Sequence, residues 1–146
     1  RFNIVVLPTP ADLNSEMEIV KARVEQLSAG LDLNAKLPED STVEKFCTIF
    51  RELRNGETCD KSQKIKGTSG VLSTAEAISL LCNSMALAGS FGNGSISESD
   101  LAAGLQGAII KEEEKDAIAW KEYLENVMKK RGMAWNGLYK ACKELL

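Results

Sequence analysis

An all-α fold is predicted for this chain: a small bundle of about four helices, followed by an additional helical extension at the C-terminal end. Three observations predict it. Apolar residues recur at alternating steps of three and four through most of the 146 residues. Four of the periodic segments open on a hydroxyl residue with an acid three positions later, the pairing in which each side chain caps a free N–H of the helix start. Polar, glycine-bearing stretches separate the segments.

The elements follow in order. Phe2-Asn3-Ile4-Val5-Val6-Leu7 reads as one short buried strand that ends at Pro8. A single strand cannot stand alone, so a sheet outside this chain is expected. Arg1, not Met, precedes that apolar run, and the sequence therefore reads as an excised piece. Helix one, over 10–30, starts at Thr9-Pro10-Ala11-Asp12, with Pro10 in the first helical position, where its missing N–H costs nothing. Leu13, Met17, Val20, Val24, Leu27 and Leu31 form its apolar stripe, and Gly30 stands near its end.

Helix two, over 42–55, starts at Ser41-Thr42-Val43-Glu44 and turns Val43, Phe46, Cys47, Phe50 and Leu53 inward. Residues 56–72 are polar and glycine-bearing and read as a loop. Helix three, over 74–90, starts at Ser73-Thr74-Ala75-Glu76 and buries Ile78, Leu81, Cys82 and Met85. Gly92-Asn93-Gly94 makes a turn. Helix four, over 98–110, starts at Ser97-Glu98-Ser99-Asp100; Ile96 and Leu101 close a hydrophobic staple around it, and Leu105 and Ile109 continue its inner face.

The remainder is charged and amphipathic. A helix over 112–131 carries Ala117, Trp120, Leu124, Val127 and Met128 on one side, and Gly132 breaks it. A last helix, over 133–145, offers Met133, Leu138, Cys142 and Leu145. The run Lys111-Glu112-Glu113-Glu114-Lys115-Asp116 reads as a solvated helix start, where acids suit the helix dipole.

Composition excludes several functions. The chain is 44% hydrophobic with a net charge of −3, ordinary for a globular domain. Lys129-Lys130-Arg131 is only a short basic patch, which argues against nucleic acid as the partner. No apolar run approaches the roughly 20 residues that span a bilayer, so no membrane is expected, and there is no secretory signal pattern. Histidine is absent and the four cysteines show no CxxC spacing, so no metal site is expected. Cys47, Cys82 and Cys142 fall at core positions and Cys59 in a polar loop, a usage that fits a reducing cytoplasm. There is no GxxxxGK[ST] phosphate loop; Gly67-Thr68-Ser69-Gly70 lacks the following Lys-Ser/Thr pair. With no histidine base and no nucleophile setting, the chain is not expected to act as an enzyme by itself.

Arg1-Phe2, then Ile4-Val5-Val6-Leu7-Pro8, then Pro10 and an acidic amphipathic helix resembles the end of an AAA+ ATPase core, where an "RF" pair, the last core strand and an "LP-x-P" linker lead into the helical lid. Gly67-Thr68-Ser69 through Ser73-Thr74-Ala75-Glu76-Ala77-Ile78-Ser79-Leu80-Leu81 is similar to the segment that opens the third lid helix in the MoxR-type branch. Ile96-Ser97-Glu98-Ser99-Asp100-Leu101 is similar to the start of the last lid helix there. The resemblance covers about residues 1–110. It implies three parts: 1–9 as a remnant of the last core strand and linker, 10–110 as the lid, and 111–146 as a C-terminal extension without a family motif.

The resemblance implies function residue by residue. Arg1 falls where many relatives place the arginine finger that reaches a neighbouring subunit's γ-phosphate; the plain alternative is an exposed terminal arginine. Pro8, Thr9 and Pro10 match the linker near the adenine, besides ending a strand and starting a helix. Ser73, Thr74 and Ala75 stand at the third lid helix, whose N-terminus points at the nucleotide in such enzymes. Ala75 occupies the place of the sensor-2 arginine, so that residue is absent, or its role passes to Lys64 or Lys66 of the preceding loop. Glu76 is the reciprocal cap of Ser73. The parent protein would bind ATP and Mg²⁺ in its core, and the excised chain would bind neither. Its partners would be the core domain of the same polypeptide, neighbouring subunits of a homo-oligomeric ring, and a client protein. The other reading is a stand-alone helical adaptor, with Trp120, Trp135 and Tyr139 lining a groove for a partner helix.

Overall fold

The computed structural model describes residues 8–31 and 33–146. The expected strand over 2–7 and Arg1 lie outside the described residues. Among those described there are six α-helices and no strand: α1 (Leu13–Leu31), α2 (Asp40–Asn55), α3 (Thr74–Phe91), α4 (Glu98–Ile109), α5 (Glu113–Asn126) and α6 (Met133–Glu144), with a 3₁₀ turn at Met128–Lys130. An isolated antiparallel bridge between Glu57 and Lys64 closes the long loop on itself.

The predicted stripes explain the packing. α3 lies against α1, α2 and α4; α4 carries α6; α5 and the 3₁₀ turn close against α6. One apolar core takes in side chains from all six helices, from Val20 and Val24 through Phe46, Phe50, Leu81 and Leu105 to Trp120, Leu124 and Leu138. Trp120 and Tyr123 stack within it, with ring centroids 5.6 Å apart. Each such fully buried large side chain contributes about 1.5–3 kcal/mol by leaving water. Residues 111–146 are therefore packed on the preceding helices through a shared core.

Two of the four expected capping boxes are present in full. Ser73 accepts from the Glu76 N–H while the Glu76 carboxylate accepts from the Ser73 N–H, and Ser97 and Asp100 repeat the arrangement. The other two differ. α1 begins at Leu13, and Asp12 is its cap, accepting from the Ser15 N–H at 2.8 Å. Pro10 therefore stands outside the helix, and the Pro10 and Ala11 carbonyls accept from Arg51. α2 begins at Asp40 after Glu39, which makes no side-chain cap; the Thr42 and Val43 N–H groups already bond to the Glu39 carbonyl, placing Ser41 inside the helix.

The ends of two stripes are also corrected. Leu27 and Leu31 are 43% and 61% exposed, and Met133 and Leu145 are 93% and 46% exposed, because the neighbouring helices do not extend over them. The charged run 111–116 is exposed through Lys115, but Asp116 is buried. Gly132, at φ 86°, precedes α6 as expected, but the helix expected over 112–131 ends at Asn126, and a 3₁₀ turn occupies Met128–Lys130 before the glycine. No helix of the described residues is long and apolar enough to cross a membrane.

Candidate functional site

The linker and the start of α3 meet at a buried carboxylate. Glu16, on α1, is in phase with Leu13 and Val20 and is fully buried. A buried carboxylate is costly unless its oxygens are satisfied. Here Arg54 of α2 donates from both terminal nitrogens, at 3.0 and 2.8 Å, and the Thr74 hydroxyl donates at 2.8 Å. Arg51, one turn before Arg54, donates to the same carboxylate at 3.3 Å. Burial pushes the Glu16 pKa up, but the bonds from Arg54, Thr74 and Arg51 and the charge of Arg54 outweigh it and hold it below the usual glutamate range.

The arginines also reach main chain. Arg54 donates to the Leu72 carbonyl at 3.0 Å, just ahead of α3. Arg51 donates to the Pro10 carbonyl at 2.9 Å and to that of Ala11. Pro8 and Thr9 are exposed and Pro10 is half-buried. Pro10, Thr74 and the residues between them in this network thus form one cluster; Ser73 and Ala75 flank Thr74. Arg1 falls outside the described residues.

At the start of α3 the side chains are occupied. The Ser73 hydroxyl caps Glu76 and Thr74 is committed to Glu16, while Ala75 offers no polar group. The backbone N–H groups of Thr74 and Ala75 belong to the first turn, which has no intrahelical acceptors. A cation at this turn is Lys111, 2.6 Å from the Glu76 carboxylate. Glu76 is held below the ordinary glutamate range: burial raises it, and bonds from Lys111 and Ser73 prevail. A phosphate here would meet backbone N–H groups and Lys111, with the Glu76 charge opposing it.

The extension braces this same region. Asp116 of α5 is 1% exposed and accepts from the Ser69 N–H and hydroxyl at 2.7 and 2.6 Å and from the Lys111 and Glu112 N–H groups at 2.9 and 2.8 Å. Burial raises its pKa, but the Glu112, Ser69 and Lys111 donors hold it far below the usual aspartate range. A third buried carboxylate, Glu52 of α2, accepts from the Tyr123 hydroxyl at 2.7 Å, the Cys59 N–H at 2.8 Å, and Arg131.

The groove imagined for Trp120, Trp135 and Tyr139 is not formed. Trp120 is fully buried and Tyr139 is 7% exposed, while Trp135 is partly buried with the Arg131 guanidinium 4.6 Å above its ring. Among the described residues, no group of three or more His, Cys, Asp or Glu could hold a metal ion. Cys47, Cys82 and Cys142 are buried and Cys59 is exposed.

A small helical bundle is the architecture that the resemblance to an ATPase lid implies. Residues 14–145 match the family described as YehL-like AAA+ ATPase C-terminal domain, and the chain belongs to that family. It is 28% identical over 143 residues to the Uncharacterized protein YehL of Escherichia coli (strain K12). That alignment takes in 97% of this chain and 38% of the relative, so the chain spans well under half of that protein's length. No solved structure matches the chain.

Proposed function

We propose that this domain is the nucleotide-responsive lid of an AAA+ ATPase of the MoxR type, a chaperone-like remodelling enzyme that works as a homo-oligomeric ring in the cytoplasm. The parent core binds ATP with Mg²⁺, and the lid packs over the base and sugar. Pro8, Thr9 and Pro10 pass beside the adenine, and the Ser73, Thr74 and Ala75 backbone faces the phosphates from the first turn of α3. Arg1 serves as the finger that reaches the neighbouring subunit's nucleotide. Hydrolysis changes the contacts at the α3 start, and the lid tilts as a body, shifting the neighbouring subunit and acting on a client protein.

The observation that carries this reading is the position of the linker. Arg51 joins the Pro10 and Ala11 carbonyls to the buried Glu16 carboxylate that Thr74 also bonds, and this closeness of the linker to the start of α3 supports a shared nucleotide-facing edge. Family membership supports the ATPase assignment.

The full-length polypeptide tests it. It is expected to hydrolyse ATP and to assemble into a larger species with ATP than with ADP in light scattering. Hydrogen exchange at residues 9–15 and 72–76 is expected to change with nucleotide. A polypeptide that binds no ATP, or whose exchange at 72–76 ignores it, would sink the proposal.

A further inference from the structure

We infer that Arg51 is a positioning residue that relays movement of the α3 start to the linker. The inference rests on the lid reading above. The chain of contacts runs Thr74 hydroxyl, Glu16 carboxylate, Arg51 guanidinium, then the Pro10 and Ala11 carbonyls, each step a direct hydrogen bond. Its central member is fully buried, and the Arg51 side chain is 17% exposed.

Three features separate this link from ordinary packing. First, the linker has little else to hold it: Pro8, Thr9 and Ala11 are exposed, and Arg51 is the side chain, among the described residues, that grips the Pro10 and Ala11 carbonyls. Second, the grip needs a fork. Two nitrogens of one planar guanidinium serve two successive carbonyls and a carboxylate, a geometry that lysine cannot copy. Third, the load is divided. Arg54 already satisfies Glu16 with two bonds and ties it to Leu72, so Arg51 is free to connect that fixed point to the linker. Coupling between segments travels through such contiguous, directional contacts, and a displacement of Thr74 draws Glu16, and with it Arg51 and the linker carbonyls.

The test uses the full-length polypeptide with ATP or ADP, in wild type, Arg51→Met and Arg51→Lys. In wild type, nucleotide changes exchange at 72–76 and at 9–15. In Arg51→Met the response at 72–76 is expected to persist and that at 9–15 to be lost. ATP affinity is expected to stay within about twofold while kcat falls at least about fivefold. Arg51→Lys keeps a cation beside Glu16 without the fork and is expected to show the same uncoupling, which covers a Met variant that folds poorly. A response at 9–15 that survives in Arg51→Lys overturns the inference. Equal losses at 72–76 and 9–15 in Arg51→Lys also overturn it, since they mark a structural role. A wild type that lacks the response at 72–76 fails the lid reading instead.

Discussion

Glu52 allows the attachment of the extension to be measured. Its carboxylate is fully buried and accepts from the Tyr123 hydroxyl, the Cys59 N–H and Arg131. Glu52→Ala strands the Tyr123 hydroxyl inside the core, at about 1–3 kcal/mol. Arg131 is one-fifth exposed and recovers water, so its lost pairing adds about 1 kcal/mol. The vacated volume adds about 1 kcal/mol more. Cys59 is exposed, and its N–H turns to solvent at little cost. The total is about 4 kcal/mol, in the range for breaking a buried ion pair, and lowers Tm by roughly 8–16 °C for a chain of this size. Tyr123→Phe alone should cost about 2 kcal/mol, the worth of a hydrogen bond to a charged group. In the Glu52→Ala background the same change removes the stranded hydroxyl and should restore about 1–3 kcal/mol. Urea unfolding of the four proteins, followed by tryptophan emission and circular dichroism, gives the coupling energy. Effects that add to within about 0.5 kcal/mol would refute the reasoning.

Three further outcomes are expected. Asp116 has a folded pKa below its ordinary value of 3.8, because donors from Glu112, Ser69 and Lys111 outweigh the upward push of burial. Its stabilisation is thus complete above the unfolded value and lost as pH falls through the lower folded value, and thermal melts between about pH 5 and pH 2 should show a weaker acid dependence in Asp116→Asn than in wild type. Gly107→Ala, where a Cβ meets nothing within 4 Å, should raise stability by about 0.5–1 kcal/mol, while Gly89→Ala, where a Cβ would stand 2.7 Å from the Asn34 carbonyl oxygen, should lower it by about 1–3 kcal/mol, both read by denaturant titration. Of the four cysteines, Cys59 should react with a disulfide reagent in the native state and the others only on unfolding; burial pushes the Cys47 and Cys142 thiols up to about 12.

The helices were legible because their inner faces are long and continuous. Val43, Phe46, Cys47, Phe50 and Leu53 are all buried, as their spacing requires. The Ser73 and Ser97 boxes were legible because nothing competes for their backbone groups. Thr9 is not the cap because Asp12 takes that role three residues later, accepting from the Ser15 N–H. The three buried carboxylates were missed, yet the sequence carried a signal for each. Glu16 falls in phase with Leu13 and Val20, Glu52 with Ile49, and Asp116 with Trp120 and Tyr123. An acid on an apolar stripe marks a place where a distant donor must arrive. Which donor arrives is set by the fold: Arg54 is 38 residues from Glu16, and Arg131 is 79 residues from Glu52.

What those carboxylates contribute is geometry more than stability. Replacing all members of a buried ion cluster with apolar groups of similar size is often neutral or favourable, whereas removing one member is costly. Glu52→Leu with Tyr123→Phe and Arg131→Leu should therefore keep the stability of the wild type within about 2 kcal/mol. Apolar contacts do not specify direction, however, and α5 could then slide against α2. The expected sign is a loss of near-ultraviolet dichroism from the buried, stacked Trp120 and Tyr123 side chains, at unchanged helix content. A triple variant with the near-ultraviolet spectrum of a Tyr123→Phe protein would show that packing alone fixes the register. The same logic applies to Asp116, which sets the Ser69 loop against α5, and to Glu16, which sets the linker against α3.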